Sequence, residues 1–158
     1  MTTRLYRTGF GQRYAMNPEM AWTGQTLGHH QWGVAVLLLE LFPACTRETL
    51  VEALLHDTGE PGAGADVSAP AKAKYPMLAE AVAGAEFCER AEMGRGADET
   101  SMCDHEAINL CDRLEAFMFT RVRNPAVLAG NGWPEGCVSL LQRAARLGVE
   151  RQVREKLS

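Results

Sequence analysis

Two histidines and two aspartates of this 158-residue chain could do chemistry together, namely His30, His56, Asp57 and Asp112. Imidazole and carboxylate groups suit Zn, Mn, Fe, Co or Ni better than they suit Ca. Such a set can leave coordination positions open, where a metal lowers the pKa of a bound water and neutralises a phosphoryl oxygen. Any one of the four alone is as well explained as a buried polar residue with satisfied hydrogen bonds, but together they favour a divalent-metal site.

Helices must position these side chains. A segment rich in Val and Leu predicts a helix from about Gly28 to Phe42, which ends before a proline. On this helix His30 shares a stripe with apolar residues at positions i+4, i+7 and i+11, so it is predicted to face the core. The neighbouring His29 lies on a different stripe, and we therefore favour His30 over His29 as the inward histidine.

The second histidine belongs to a His-Asp pair at the end of a second predicted helix. Thr46 is a plausible N-cap for this helix, which runs to His56. At a helix C-terminus the regular separation of about 100° between neighbouring side chains is no longer enforced, so His56 and Asp57 can converge on one ion. The segment that follows, residues 58–70, contains Gly and Pro and is predicted to be a loop.

Further helices are predicted for residues 76–93, 99–120 and 135–156, and alternating strand patterns are scarce. The fold class is therefore predicted to be all-α. Asp112 lies on a mixed face of the helix over residues 99–120, together with Glu115. A carboxylate on such a face needs a partner.

Composition narrows the class of protein. A hydrophobic fraction of 46% and a charged fraction of 23%, with no repeat or composition break, predict a single globular domain over residues 1–158. The net charge of −4 argues against a protein that coats nucleic-acid polymers. The five cysteines include no CxxC pair, which favours reduced thiols and a cytoplasmic protein. The N-terminus has no apolar signal region, and the longest apolar run is too short to cross a membrane.

Four segments carry a resemblance to a known family: HQWGVA at 30–35, LLHDTGE at 54–60, GADVSAPAK at 64–72 and NLCDRLE at 109–115. In this order they resemble the HD-domain metal-dependent phosphohydrolases. More narrowly, they are similar to the 5′-deoxynucleotidase-like branch, which includes phage deoxyadenosine triphosphate triphosphohydrolases. The resemblance covers about residues 22–115 and implies an HD-domain helical bundle.

The resemblance also implies roles for individual residues. The two histidines and two aspartates named above match the metal ligands. Glu60 matches the acid that handles the attacking water or the leaving-group proton, and Asp66 matches a second acid that orients water or substrate. Lys72 matches a phosphate-contacting lysine, and Trp22 could stack on a base or pack on the sugar. Taken singly, these are ordinary residues: solvated loop acids, an exposed lysine and a core tryptophan. Trp32 is expected to be a core residue.

The sequence departs from the family pattern at three positions. Ala21 stands where relatives carry an arginine before the tryptophan, so one cation near the nucleotide is missing or comes from elsewhere. His29 stands where an acid usually precedes the first metal-ligand histidine. Pro61 stands where alarmone hydrolases have an acid, which argues against that activity.

The predicted function is hydrolysis of a small deoxynucleotide at the α-phosphate, with Zn, Co, Mn or Mg as the divalent ion. The substrate is either a monophosphate, which releases phosphate, or a triphosphate, which releases triphosphate. The resemblance also implies a homo-oligomer. The alternative is a non-catalytic HD-like module that binds a nucleotide or acts as a regulator, and a third is a purely structural helical bundle without metal.

Overall fold

A computed structural model of the chain describes residues 6–15, 17–59, 72, 74–92, 101–130 and 132–158. The α-helices bounded within these ranges are α1 (Leu27–Leu41), α2 (Arg47–Leu55), α3 (Pro76–Glu92), α4 (Met102–Arg123), α5 (Trp133–Arg146) and α6 (Glu150–Leu157). Two short 3-10 helices cover Ala21–Thr23 and Pro125–Ala129. Within the described ranges the only β-structure is one isolated bridge, between Gln12 and Thr26. The all-α prediction is confirmed.

The chain divides into two compact units. The first unit comprises residues 1–29 and 55–99, and the second unit comprises residues 30–54 and 100–158. The expectation of a single domain over residues 1–158 stays a prediction. Among the residues that the structure describes, no helix is both long enough and apolar enough to pass through a membrane.

The second unit is built around a cluster of buried apolar side chains from five helices. On α1 the buried residues recur at the spacing of one helix face. Apolar side chains of α4, α5 and α6 belong to the same cluster, and these three helices contact one another. Ser101 caps the N-terminus of α4 by accepting a hydrogen bond from the backbone N–H of Asp104 at 3.2 Å. The cluster consists of Val34, Leu37, Leu38, Leu41, Ala53, Ala107, Ile108, Leu110, Cys111, Leu114, Phe117, Leu140, Ala144, Val149 and Val153.

The prediction of one helix over residues 135–156 was wrong, because the structure has two helices there. Gly148 separates α5 from α6 with a φ of +74°, in the left-handed region that glycine adopts at little cost. Its N–H bonds to the carbonyl of Ala145 at 3.1 Å, and the N–H of Val149 bonds to the carbonyl of Ala144 at 2.9 Å. This pair of bonds is a Schellman motif, which ends a helix.

In the first unit, the N-terminal segment runs against the residues that lead into α1. The N–H of Gly28 bonds to the carbonyl of Gly9 at 2.9 Å, and the N–H of Leu27 bonds to the carbonyl of Gly11 at 2.8 Å. A Cβ placed on Gly28 would lie 3.0 Å from the Gly9 carbonyl oxygen. The close backbone approach therefore favours glycine at position 28 and fixes the start of α1.

Candidate metal centre

His30 is fully buried in the second unit and contacts two carboxylates of α4. Its Nε2 lies 3.0 Å from Oδ1 of Asp112, and its Nδ1 lies 2.5 Å from Oε2 of Glu115. His29, the preceding residue, is exposed. The prediction that His30 rather than His29 faces inward is confirmed, as the stripe of buried residues on α1 required.

Helix α4 presents both carboxylates from one face. Asp112 and Glu115 are three residues apart, a spacing that brings side chains together on a helix surface. The Asp112 side chain is 30% exposed, whereas that of Glu115 is only 8% exposed. Leu110 and Leu114, two residues before and two residues after Asp112, are fully buried in the core and hold the helix in place.

The contact with Glu115 is a feature that sequence reasoning missed. The helical spacing places Glu115 on the same face as Asp112, but the sequence pattern indicates no role for it. Two signals could have indicated one. A buried carboxylate needs a charged or hydrogen-bonding partner, and so does a buried histidine on the stripe of α1. The two residues lie 85 positions apart, so no local pattern joins them.

Gly33 provides the space in which Glu115 lies. It is one turn after His30 on α1, and a Cβ placed on it would lie 2.8 Å from Cγ of Glu115 and 3.3 Å from its Oε1. Separations below about 3.0 Å force atoms to move, and the interior here is closely packed. The hydrogen atom of glycine therefore allows the Glu115 side chain to pass beside α1 to the imidazole.

The second histidine lies in a turn of the first unit, directly after α2. Nε2 of His56 lies 3.2 Å from Oδ2 of Asp57, and the two side chains are 16% and 20% exposed. The turn is held by Thr58, whose N–H and hydroxyl both donate to the carbonyl of Leu55, at 3.1 Å and 2.7 Å. The His-Asp pair therefore lies at the helix C-terminus, as the sequence predicts.

Local contacts fix both ends of the segment that carries this pair. At the start of α2, the Thr46 hydroxyl accepts a hydrogen bond from the N–H of Thr49 at 3.1 Å, which confirms the predicted N-cap. After the pair, a Cβ placed on Gly59 would lie 2.3 Å from Cα of Glu86 on α3. No side chain other than glycine fits there without moving the backbone, so the turn lies directly against α3.

His30, His56, Asp57 and Asp112 form a group that could hold a metal ion. Each offers one ligand atom, and these four atoms all lie within 4.8 Å of one another. Two imidazole nitrogens and two carboxylate oxygens suit a divalent transition metal. The group is compatible with the predicted metal site, and both the presence and the identity of an ion stay predictions.

Of the remaining predicted site residues, the structure describes two and leaves two outside its described ranges. Glu60 and Asp66 lie outside the described residues. Trp22 belongs to the first 3-10 helix, is 62% exposed, and donates from Nε1 to the carbonyl of Glu19 at 2.9 Å. Nζ of Lys72 lies 3.6 Å from Oε1 of Glu86, and the Lys72 side chain is 32% exposed.

The expectation that Trp32 is a core residue was wrong, because its side chain is 61% exposed. It follows His30 by two residues, which is about 200° around the helix and so on the opposite side from the buried histidine. The aromatic ring therefore faces solvent on the far side of α1.

Among the described residues, no cysteine belongs to the candidate site. Burial, with a smaller effect of the Asp112 carboxylate, raises the pKa of the Cys111 thiol to about 12. The group therefore stays protonated at neutral pH. Four described cysteines have free thiols: Cys45, Cys88, Cys111 and Cys137.

No family model, curated protein or solved structure matches this chain. The resemblance to HD-domain phosphohydrolases therefore rests on the four motif segments. What the structure adds is independent of that resemblance, since it concerns the positions of the histidines and carboxylates themselves.

Proposed function

We propose that the chain is a metal-dependent phosphohydrolase of the HD-domain type that cleaves a small deoxynucleotide at the α-phosphate. The observation that carries the proposal is the group of His30, His56, Asp57 and Asp112, whose ligand atoms lie within 4.8 Å of one another. The same four residues are those that the motif order H…HD…D singles out.

The donor set suits a divalent ion such as Zn, Co, Mn or Mg. When bound, such an ion supplies Lewis acidity for a water molecule and for a phosphoryl oxygen. His30 and His56 contribute neutral ligands, and Asp57 and Asp112 contribute two negative charges. A divalent cation would neutralise these two charges, so the site with its ion bound would not repel a phosphate as the carboxylates alone would.

The hydrolysis is a displacement at the α-phosphorus. Water adds to phosphorus, the bond from phosphorus to the 5′-oxygen breaks, and that oxygen takes up a proton. Products are the deoxynucleoside with either phosphate or triphosphate. We assign Glu60 to proton transfer as a general acid–base group, and Asp66 to the orientation of water or substrate.

Lys72 and Trp22 are assigned to the substrate. The ion pair between Lys72 and Glu86 spans 3.6 Å and is partly exposed, a type of pair that stabilises by only about 0–1 kcal/mol. A phosphate group can therefore compete for the ammonium group of Lys72. The exposed indole of Trp22 offers a flat apolar face for a base or a sugar.

A nucleotide panel tests the proposal. The full chain is assayed with deoxy- and ribonucleoside mono- and triphosphates in the presence of Mn, Co, Zn or Mg, and the phosphate product is identified. We expect turnover of deoxynucleotides that disappears on chelation. His29→Ala is the matched control, because it removes an exposed imidazole next to His30. Absence of turnover with every nucleotide and every metal would contradict an enzymatic function.

The alternative function is a nucleotide-binding or regulatory module without catalysis. Two observations favour it: Ala21 stands where the resemblance expects arginine, and Lys72 is paired with Glu86. This module would retain metal after purification and bind a nucleotide without releasing phosphate. Metal content and phosphate release, measured on one preparation, distinguish it from the enzyme and from a structural bundle without metal.

We also propose that the protein is a cytoplasmic homo-oligomer. Several large apolar side chains of α3 are exposed, among them Met77 at 84% and Phe87 at 60%. A second copy of the chain could cover such residues. Light scattering coupled to size-exclusion chromatography measures the mass in solution, and a mass of one chain would exclude this part of the proposal.

A further inference from the structure

We propose that Glu115 is a positioning residue for the metal centre, which directs Nε2 of His30 toward the ion, and that Gly33 is required for it to do so. This inference rests on the proposed function in one respect, since it takes His30 to be a metal ligand. It assigns roles to two residues that the motif pattern leaves without one.

Glu115 determines which ring nitrogen of His30 carries the hydrogen. A carboxylate accepts hydrogen bonds and donates none, so in the 2.5 Å contact with Oε2 of Glu115 the donor is Nδ1 of His30. In a neutral imidazole the other nitrogen then carries the lone pair. Glu115 therefore selects the form of His30 in which Nε2 is available as a metal ligand.

The lone pair on Nε2 of His30 faces the Asp112 carboxylate. Nε2 of His30 lies 3.0 Å from Oδ1 of Asp112, another member of the metal-binding group. In the neutral imidazole, the Nε2 lone pair and this carboxylate oxygen would repel each other at such a separation, and a cation held by both would remove the repulsion. The ring held by Glu115 thus presents its lone pair beside the carboxylate that would share the ion.

The space around the side chains of His30 and Glu115 is limited. His30 is fully buried and Glu115 nearly so, so neither side chain can find another position in solvent. A methyl group at position 33 would lie 2.8 Å from Cγ of Glu115, which is close to the helix backbone and cannot swing aside freely. Gly33→Ala is therefore expected to displace the Glu115 carboxylate from Nδ1 without altering any ligand.

A purely structural role for the His30–Glu115 contact makes a different prediction. In that case, changes at Glu115 alter the free energy of unfolding but leave metal affinity unchanged. Partners of ligating histidines, by contrast, typically contribute roughly 10–100-fold to metal affinity. The two roles are therefore distinguished by affinity measured on folded protein, rather than by stability.

The experiment is a calorimetric titration of the metal-free full chain with Zn²⁺ or Mn²⁺, which measures the affinity for the ion. We expect Glu115→Ala and Gly33→Ala to weaken binding roughly 10–100-fold. Glu115→Gln, whose amide oxygen still accepts from Nδ1, should lose less than Glu115→Ala. Thr120→Val is the matched control, since it changes a fully buried polar residue of the same helix and should bind as the wild type does.

A spectroscopic readout accompanies the titration. In ¹⁵N-labelled, Zn²⁺-loaded wild-type protein, the ring signals of His30 should show a protonated Nδ1 and a metal-bound Nε2. If Glu115→Ala does not fold, Gly33→Ala, Glu115→Gln and these ring signals carry the test. Metal bound through Nδ1 would overturn the inference.

The failures are distinguishable. Wild-type affinity in Glu115→Ala, in a chain that binds metal and turns over nucleotide, overturns the role of Glu115 and leaves the proposed function intact. A wild-type chain that binds neither Zn²⁺ nor Mn²⁺ overturns the metal centre itself, and with it this inference.

Discussion

The two histidines of the candidate metal centre lie in contrasting surroundings. His30 is fully buried between two carboxylates of α4, and regular helices hold every member of this set. His56 and Asp57 lie in a turn, and their side chains keep 16% and 20% of their exposure. His30, Asp112 and Glu115 form a helical set, and His56 and Asp57 form a turn set.

The difference in burial predicts that the two sets contribute differently to the stability of the fold. A buried imidazole or carboxylate without a partner is expensive, so the helical set must stay paired for the fold to be stable. The turn set can use water as a partner, so its members are more easily replaced without loss of stability. Substitutions in the two sets should therefore have different consequences, even if all of them abolish metal binding.

The largest expected effect is on activity in the turn set. His56→Ala or Asp57→Ala should abolish metal-dependent turnover while leaving the helical fold largely intact. Stability should change little, by about 1 kcal/mol or less, because both side chains are partly exposed. Nucleotide hydrolysis and circular dichroism measure the two quantities. Full activity in either variant would refute the metal assignment.

The next effect is on stability in the helical set. His30→Leu should abolish metal binding and also lower the free energy of unfolding by roughly 1–3 kcal/mol, because it removes the imidazole N–H that donates to the buried Glu115 carboxylate. The double variant His30→Leu with Glu115→Leu removes both polar groups and should recover much of this loss. Denaturant unfolding of the three proteins gives the comparison. Equal loss in His56→Ala would erase the distinction between the two sets.

A pair of glycine variants sharpens the comparison at the level of packing. Gly33→Ala should lower the free energy of unfolding by about 1–3 kcal/mol, because the methyl group meets Glu115. Gly84→Ala on α3 should raise it by about 0.5–1 kcal/mol, because alanine favours a helix and a Cβ there meets no atom within 4 Å. Thermal or denaturant unfolding measures both. If the free energy of unfolding changed with the same sign in both variants, this would contradict the inference that Gly33 leaves room for the Glu115 side chain.

The smallest effect concerns the thiol that lies beside the helical set. Cys111 has a pKa raised by burial from 9.0 to about 12, whereas Cys88 on α3 is exposed. At pH 8 an alkylating reagent should modify Cys88 well before Cys111, as peptide mapping by mass spectrometry would show. Because the thiol ionises more readily in the unfolded chain, its contribution to stability should fall as pH rises from 9 towards 12. Equal labelling rates in native protein would contradict the buried position.

Local patterns in the sequence are sufficient for much of this fold. The bounds of α1 and α2 follow from an apolar stripe, a proline and the hydroxyl of Thr46, and the observed helices agree within a residue or two. The inward direction of His30 follows from the same periodicity. These features depend on residues within a few turns of one another, which is the range over which sequence patterns act.

Other features depend on contacts that no local pattern encodes. The apolar spacing continues on both sides of Gly148 and so predicts one helix, although glycine is itself a helix-ending signal. The exposure of Trp32 depends on which side of α1 the rest of the second unit covers. The contact of Glu115 with His30 joins α4 to α1 across 85 residues, and only the packing of the two helices reveals it.

The space at Gly33 has a consequence for how such sequences can change over time. Because one atom too many at position 33 displaces the carboxylate from position 115, the two positions should vary together rather than independently. A chain with alanine or a larger residue at the first position should carry a shorter or apolar residue at the second, and its histidine should take its hydrogen-bond partner from elsewhere. Each substitution would be tolerated only in the background of the other.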